Sequence, residues 1–399
     1  MRLAAFALAT LPSVALLGAC SPISSPTNTS LFLISTIDTA VGATAQTSLG
    51  VDATGRVHVA YSQDGISNLR YATCAADCAE SASWSHTTVD TTSNSGLFNS
   101  FSAAAGALHI VYQVYSGQGK LRYATCSANC LVTASWQIVT IDSAGNTGHD
   151  GSLAVGPAGQ LHVTYLESVA VPGGRWRLKY ATCTASCTDP ASWSSAILDS
   201  AVFVDASSRA LALDGSGRLH LVYQKTDSIG QTPVVYATCT ASCTNAANWV
   251  LTGLDTDPLD HAAPVIAVDA LGVPSVAYWG KLGGLATINY ALCAGVCTTT
   301  IGWNILPIQS LENGTSDLDQ HSLILDAASR PQMSFQHGGL SYAGCVSSCT
   351  APGAWLEFLV DPGVGGVGSS VGGLSGGGVG IAYVSPTSVG GRLKFAVSN

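Results

Sequence analysis

One motif, Tyr-Ala-x-Cys-x-x-x-Cys followed by tryptophan, occurs six times in this chain, in full or as a near copy. The copies are 52 to 57 residues apart and begin at Tyr71, Tyr123, Tyr180, Tyr236, Tyr290 and Tyr342. A repeat of about this length is typical of a propeller, a solenoid or an array, in which each unit packs against its neighbours. The repeat therefore constrains the architecture more than any other feature.

Twelve of the 13 cysteines lie in these repeats as Cys-x-x-x-Cys pairs, namely Cys74/Cys78, Cys126/Cys130, Cys183/Cys187, Cys239/Cys243, Cys293/Cys297 and Cys345/Cys349. In an exported chain such pairs are read first as disulfides. A metal site is the alternative, but two thiolates supply only half of a zinc site. Redox catalysis uses one reactive pair rather than six copies. The pattern predicts one short disulfide loop in each repeat.

The remaining cysteine, Cys20, ends the segment Leu-Gly-Ala-Cys, which follows Arg2 and a long apolar stretch. This order is that of an export signal. The segment resembles the lipobox of bacterial lipoproteins, which implies that Cys20 becomes the acylated first residue of the mature chain. The alternative is a plain secretory signal with a chance cysteine. We predict a lipoprotein signal peptide at residues 1–19, a lipidated cysteine and flexible tether at residues 20–30, and a lipid-anchored location in the bacterial cell envelope or at its surface.

Each repeat contains four predicted strands, which we label A to D from the inside of the ring outward. In one copy these are Ser152–Val155, Leu161–Tyr165, Leu178–Cys183 and Trp193–Asp199. Alternating apolar residues and glycine-rich turns favour strands over helices here. Four antiparallel strands in about 50 residues form the blade of a β-propeller.

Counting strands gives seven blades. B strands and C strands each occur seven times, whereas only six D strands follow a repeat tryptophan. The segment from Leu31 to Asp38 ends as the D strands do, so we predict that this N-terminal strand completes the last blade. The prediction is an all-β, seven-bladed β-propeller of four-stranded antiparallel blades over residues 31–399, closed by its N-terminal strand. Closure leaves no exposed sheet edge.

Charge and hydropathy exclude several partners. The net charge of −9 argues against nucleic acid. After the signal peptide no apolar stretch is long enough to span a bilayer, so the lipid anchor is the only predicted membrane attachment. We expect a monomer.

Residues that recur at one position in several blades are read as structural. Histidines at one position of strand B, His58, His109, His162 and His220, are predicted to form structural hydrogen bonds rather than a metal or catalytic site. Aspartates of the A–B turns, Asp52, Asp214, Asp269 and Asp326, fit turn chemistry.

The candidate ligand site consists of polar and aromatic residues that do not occupy repeated positions. Asp260 and His261 lie in the connection that leads into blade 5, and Asp319 and His321 in the connection that leads into blade 6. Trp279 is predicted to begin the B-to-C loop between them and to offer a stacking surface. An aromatic face beside carboxylates suits a sugar ring, and the acidic loops also suit calcium as a cofactor. Solvated polar loops without a ligand are the alternative.

A second set of non-repeat residues lies in blade 3. Trp176 is predicted to lie in its B-to-C loop, and His149 and Asp150 enter the same blade. Both sets are expected on the face where the D-to-A and B-to-C connections open. Variable loops on a rigid scaffold commonly carry binding residues.

The spacing Leu-x-x-Asp-x-x-Gly-Arg-x-His-x-x-Tyr followed by Leu-Arg/Lys-Tyr-Ala resembles the bacterial extracytoplasmic propellers grouped with sialidase-like, BNR-type repeats. The resemblance covers about residues 31–399 and implies the fold. The Asp boxes of true sialidases, Ser-x-Asp-x-Gly-x-x-Trp, are missing from this sequence. Glycoside hydrolysis needs two carboxylates at a defined separation, and no catalytic residue can be assigned here.

Three functions follow as hypotheses. The first is a membrane-anchored, extracytoplasmic propeller that binds a glycan or a surface protein at the channel mouth. The second is a sialidase-like glycan hydrolase or lyase. The third is a calcium-stabilised structural surface protein.

Overall fold

Seven antiparallel sheets make up the compact unit Leu31–Asn399. The computed structural model describes residues 31–42, 46–63, 68–169, 175–200, 203–205, 210–226, 233–255, 262–282, 285–311, 321–351, 353–363, 365–388 and 390–398. All structural statements below concern these residues.

The strands follow the chain blade by blade, after the N-terminal strand β1 (Phe32–Val41). Blade 1 contains β2 (Thr47–Val51), β3 (Val57–Ser62), β4 (Leu69–Cys74) and β5 (Ser85–Asp90). Blade 2 contains β6 (Ser95–Ala104), β7 (Ala107–Tyr115), β8 (Gly119–Cys126) and β9 (Gln137–Asp142). Blade 3 contains β10 (Asn146–Val155), β11 (Leu161–Val169), β12 (Arg175–Cys183) and β13 (Ser194–Asp199).

Blade 4 has a divided inner strand, β14 (Phe203–Asp205) and β15 (Leu211–Leu213), followed by β16 (Leu219–Thr226), β17 (Val234–Cys239) and β18 (Val250–Asp255). Both inner segments pair with β16. Blade 5 contains β19 (Ala262–Val268), β20 (Pro274–Leu282), β21 (Leu285–Cys293) and β22 (Trp303–Leu311). Blade 6 contains β23 (Ser322–Leu325), β24 (Pro331–Gln336), β25 (Gly339–Cys345) and β26 (Trp355–Pro362). Blade 7 contains β27 (Val367–Gly373), β28 (Val379–Thr387) and β29 (Gly390–Ser398) together with β1.

The N-terminal strand closes the ring. In blade 7 the strand order is β1-β29-β28-β27, and β1 pairs antiparallel with β29 from Phe32 opposite Ser398 to Val41 opposite Gly391. The predicted all-β architecture of seven four-stranded blades is confirmed, and β1 occupies the predicted outer position of blade 7.

Helical structure among the described residues is limited to short 3-10 turns before the repeat tryptophans: Ser81–Ser83, Thr133–Ser135, Pro190–Ser192, Ala246–Asn248 and Thr300–Gly302. No helix in the described part of the chain is long and apolar enough to cross a bilayer.

The six predicted disulfides are all formed, and their Cα–Cα distances are 5.5 to 5.9 Å. They are Cys74–Cys78, Cys126–Cys130, Cys183–Cys187, Cys239–Cys243, Cys293–Cys297 and Cys345–Cys349. The first cysteine of each pair is buried at the end of a C strand, whereas the second is half-buried in the loop that follows. Six disulfides favour an exported protein.

The second cysteine of each pair also holds the repeat tryptophan. The indole Nε1 donates to the backbone carbonyl oxygen of this cysteine at 2.8 to 3.0 Å: Trp84 to Cys78, Trp136 to Cys130, Trp193 to Cys187, Trp249 to Cys243, Trp303 to Cys297 and Trp355 to Cys349. The same indole packs edge-on against the C-strand aromatic of the preceding blade, as Trp136 does against Tyr71 at 5.5 Å between ring centroids. Each disulfide loop therefore fixes a tryptophan that joins two blades.

The recurring histidines form structural hydrogen bonds, as predicted. Nδ1 of each one lies 2.6 to 2.7 Å from the hydroxyl of the C-strand tyrosine in the same blade: His58 with Tyr71, His109 with Tyr123, His162 with Tyr180 and His220 with Tyr236. Blade 5 uses Ser275 with Tyr290 in the same place, at 2.9 Å. In blade 7 a Cβ on Gly380 would collide with the Phe395 ring, so glycine accompanies the phenylalanine there.

A second repeated contact links neighbouring blades and was not predicted. The aspartate at the end of a D strand accepts a hydrogen bond from the B-strand tyrosine of the next blade, at 2.6 to 2.8 Å: Asp38 from Tyr61, Asp90 from Tyr112, Asp142 from Tyr165, Asp199 from Tyr223, Asp255 from Tyr278 and Asp361 from Tyr383. At the junction of blades 5 and 6, Phe335 replaces the tyrosine and Gln309 holds the aspartate's position in the strand register. The carboxylate and the hydroxyl are thus replaced together.

The connections define two faces. The A–B turns and the disulfide loops lie on one side, which we call the disulfide face. The D-to-A and B-to-C connections lie on the other side, which we call the mouth face.

Candidate functional site

The structure describes only part of the predicted ligand site. Asp260, His261 and Asp319 lie outside the described residues. Their proposed role in ligand binding therefore stays a prediction.

Trp279 and His321 are placed together, but not as predicted. Trp279 lies within strand β20 rather than at the start of a loop, and its side chain packs in a core cluster with Ile288, Leu323 and Met333. It is 3% exposed. The predicted position in a loop and the predicted open stacking surface are wrong for this tryptophan, because the strand continues beyond the repeat tyrosine and its next side chain turns into the blade interface.

His321 is also buried, at 2% exposure. Its Nε2 lies 3.3 Å from the carbonyl oxygen of Ala277, and its ring meets the Trp279 indole edge-on at 5.8 Å. The indole Nε1 of Trp279 is buried without a hydrogen-bond partner. This pair forms a buried contact between blades 5 and 6.

An open aromatic group lies instead on the mouth face of blades 2 and 3. The Phe98 ring lies 4.7 Å from the His149 ring, and the His149 ring meets the Trp176 indole edge-on at 4.6 Å. We call these three residues the aromatic row. All three are half-buried. The row runs from the inner strand of blade 2 to the third strand of blade 3.

Strand pairing explains how Trp176 reaches this position. It lies in strand β12, opposite Ser168 of β11, so the predicted position in a loop is wrong for this residue too. The hairpin of β11 and β12 is longer than the repeat alone requires. Its extension carries Trp176 across the blade to His149.

Backbone bulges orient the inner end of the aromatic row. The register of β6 shifts between Leu97 and Ser100, and that of β10 shifts between His149 and Ser152. Within these bulges Phe98 and Asp150 both have φ of +48°. Positive φ is uncommon for residues other than glycine and costs free energy, and such strain concentrates at functional sites.

Blades 5 and 7 contain the same bulge with small residues. Ala263 has φ of +49° in blade 5, and Gly368 has φ of +61° in blade 7. The bulge itself therefore does not require large side chains. Blades 2 and 3 differ in placing an aromatic ring and a carboxylate at this strained position.

Charged side chains project from the face of the blade 3 hairpin opposite to Trp176, because Trp176 and Arg177 are neighbours in one strand and side chains alternate between its faces. Lys179 Nζ lies 2.5 Å from Asp142 Oδ2 and 4.0 Å from Glu167 Oε2, and Arg177 Nη1 lies 3.6 Å from the same Glu167 oxygen. Burial lowers the pKa of His149, so its ring is neutral at neutral pH.

Two grooves of about 670 Å³ each lie on the disulfide face. One, between blades 1 and 2, is lined by Arg56, His58 and Leu131 among others. The other, between blades 6 and 7, is lined by Leu31, Arg330 and Tyr342 among others. Across the described residues, no group of three or more histidine, cysteine, aspartate or glutamate side chains is arranged to hold a metal ion.

The cysteines have a structural role and do not form a ligand site of their own. Cys126 and Cys130 line the groove between blades 1 and 2, and Cys345 lines the groove between blades 6 and 7. The other second cysteines line neither groove, namely Cys78, Cys187, Cys243, Cys297 and Cys349. Because every one of these sulfurs is bonded to its partner cysteine, none is free to bind a metal or to act as a nucleophile.

The fold and the mouth-face residues define a disulfide-pinned, seven-bladed propeller with an aromatic row at one edge of its ring. No family model and no curated protein matches the sequence. Solved structures do match in fold.

A protein of unknown function from Dyadobacter fermentans has a TM-score of 0.54 at 10% identity over 92% of this chain and 98% of that one. The GH93 α-L-arabinofuranosidase of Fusarium graminearum, in complex with arabinobiose, has a TM-score of 0.53 at 11% identity over 76% and 92%. A Hadza microbial sialidase has a TM-score of 0.49 at 13% identity over 86% and 76%. At these identities the likeness is one of fold alone.

Proposed function

We propose that this chain is an exported, lipid-anchored propeller that binds a glycan on its mouth face. Acylation of Cys20 would attach it to the membrane, and the tether up to residue 30 would connect the anchor to the propeller. The observation that carries the proposal is the aromatic row Phe98, His149 and Trp176, with strained backbone at Phe98 and at Asp150 beside His149.

The chemistry of the row supports a sugar. Carbohydrate rings have apolar C–H faces and a polar edge, so they suit an aromatic surface with hydrogen-bonding groups beside it. In the same proposal Asp260, His261 and Asp319 contribute from the loops of blades 5 and 6.

The charged groups favour binding over hydrolysis. Glycosidases use two carboxyl groups at a defined separation, one of which donates a proton to the leaving group. Asp142 and Glu167 are each held by a cation at blade 3, namely Lys179 for both and Arg177 for Glu167. This pairing suits fixed hydrogen-bond acceptors.

The experiment is a screen of the mature protein against immobilised glycans, combined with an assay for released sugar. We expect saturable binding without product. Leu271→Ala is the matched control for Trp176→Ala, because Leu271 is 88% exposed on the disulfide face. Product formation that is abolished by a single carboxylate substitution would support the hydrolase hypothesis instead.

A further inference from the structure

The two chain ends of the propeller lie on the disulfide face. Phe32 pairs with Ser398, the same register in which Trp355 pairs with Cys345 in blade 6. Ser398 Oγ accepts a hydrogen bond from the backbone N–H of Val379, directly after the A–B turn of blade 7, at 2.9 Å. The break in the ring therefore falls where the other blades have a disulfide loop. The tether joins the propeller at this point.

Exposed apolar side chains occur on the disulfide face of the two blades that precede this junction and at the junction itself. Ile301 and Val296 in the disulfide loop of blade 5 are 95% and 64% exposed, and Leu271 projects from the neighbouring A–B turn. Val346 in the disulfide loop of blade 6 and Leu31 at the start of β1 are also exposed. We call these five residues the apolar sector. It covers the disulfide face of the consecutive blades 5, 6 and 7.

Few charges interrupt the apolar sector. The disulfide loops of blades 5 and 6, residues 293–303 and 345–355, contain no Asp, Glu, Lys or Arg. The turns beside them carry Asp269, which accepts backbone N–H groups of Leu271 and Val273, and Asp326, which is paired with Arg330 at 2.7 Å. Apolar side chains at loop tips with satisfied charges beside them can insert into the interfacial region of a bilayer.

The short tether disfavours an orientation in which the mouth face points toward the membrane. Residues 21–30 span at most about 35 Å when fully extended. A nine-residue strand such as β12 has a length of about 30 Å. To turn the mouth face toward the membrane, the tether would have to run nearly extended along the whole height of a blade, at a large cost in conformational entropy.

From this placement we infer that the apolar sector rests on the bilayer to which Cys20 is attached, so that the mouth face points away from the membrane. This inference rests on the lipid anchor of the proposed function. It adds a second, non-covalent contact with the lipid and a defined orientation of the glycan-binding surface. The net charge of −9 makes a zwitterionic lipid surface the fitting partner rather than an anionic one.

The test uses the lipidated, full-length mature protein in phosphatidylcholine vesicles. Flotation establishes attachment, and amide hydrogen exchange compares the floated protein with the same protein in detergent. Backbone amides of the disulfide loops of blades 5 and 6 are expected to exchange at least about threefold more slowly on vesicles. Amides near Tyr115 and Trp176 on the mouth face are expected to be unchanged.

The double variant Val296→Ser with Ile301→Ser should lose this protection and still float. Its matched control is Leu131→Ser with Val132→Ser, two exposed residues in the disulfide loop of blade 2, which should keep it. If the protein floats but the blade 5 and 6 loops are not protected, or if the mouth face is protected, the proposed orientation is wrong. The lipid anchor would be unaffected by that result. A failure to float would refute the anchor, and with it this inference, while glycan binding by the propeller remains a separate measurement.

Discussion

The hydroxyl of Tyr61 donates to Asp38 Oδ2 at 2.8 Å, across the junction where the first blade meets the strand that closes the last. Arg70 Nη1 donates to the same oxygen at 2.5 Å. Burial and the Asp38 charge raise the pKa of Tyr61 well above its ordinary value, so the phenol remains a donor. The closure of the ring thus uses the same contact as the internal junctions.

Removal of this hydroxyl should weaken ring closure. A buried hydrogen bond to a charged acceptor contributes about 1.5–3 kcal/mol. We expect Tyr61→Phe to lower the melting temperature by several degrees, as measured by calorimetry. Tyr115→Phe is the control. Because Tyr115 is 43% exposed, this variant should have the melting temperature of the parent. Equal melting temperatures for both variants would show that the contact is dispensable.

Deletion of Leu31 to Asp38 should have a larger effect. The strand β1 covers the outer edge of β29 along its length, and an uncovered edge promotes aggregation. We expect the truncated protein to fail to fold or to aggregate, as judged by size-exclusion chromatography and thermal melting. A truncated protein that is monomeric and melts like the parent would refute closure by the N-terminal strand.

Stability should decrease below pH 6.5 because of the buried histidines. Burial lowers the pKa of His109 below 6.5, against a hydrogen bond to the Ala104 carbonyl that raises it. The unfolded chain therefore takes up protons at a higher pH than the folded chain, and stability present above pH 6.5 is lost as the pH falls toward the folded pKa.

The measurement is the melting temperature between pH 7 and pH 5. Gln332 holds the equivalent position in blade 6, so His109→Gln should fold and should show a shallower decrease than the parent. Asp214 should not contribute in this range: burial raises its pKa, but hydrogen bonds from Ser216, Arg218 and His220 lower it to about 2. An unchanged slope in the variant would contradict a neutral, buried His109.

Trp279→Ala should destabilise the propeller rather than only remove a ligand contact. Truncation of a core tryptophan costs about 3–5 kcal/mol, and Trp279 packs in the core of blades 5 and 6. Chemical denaturation should show this loss, whereas the free energy of unfolding of Asp260→Ala should be close to that of the parent. A stable Trp279→Ala variant would mean that the side chain is not a core residue.

The strands could be predicted from the sequence because each blade repeats the same pattern of buried and exposed residues. Strand ends at the mouth face were harder to place. Trp176 and Trp279 do not recur, so subtraction of the repeat put them in loops, whereas both lie in strands that extend past the repeat. The bulges that place Phe98 and Asp150 leave no signal in a propensity pattern.

The contact between Asp38 and Tyr61 could not be predicted by counting strands. Both residues were visible at recurring positions, Asp38 at the end of a D strand and Tyr61 in a B strand. Their pairing depends on how one blade packs on the next. The sequence shows one sign of this pairing: at the junction of blades 5 and 6, Gln309 replaces the aspartate and Phe335 replaces the tyrosine.

The most direct test of the proposed function is a calorimetric titration of a glycan selected by the screen into the parent protein and Trp176→Ala. If the aromatic row binds the sugar, the variant should bind at least about tenfold more weakly, which corresponds to about 1.4 kcal/mol, at a temperature at which both proteins are folded. Leu271→Ala should bind like the parent. Equal affinity of Trp176→Ala and the parent would contradict the assignment of the aromatic row as the glycan-binding surface.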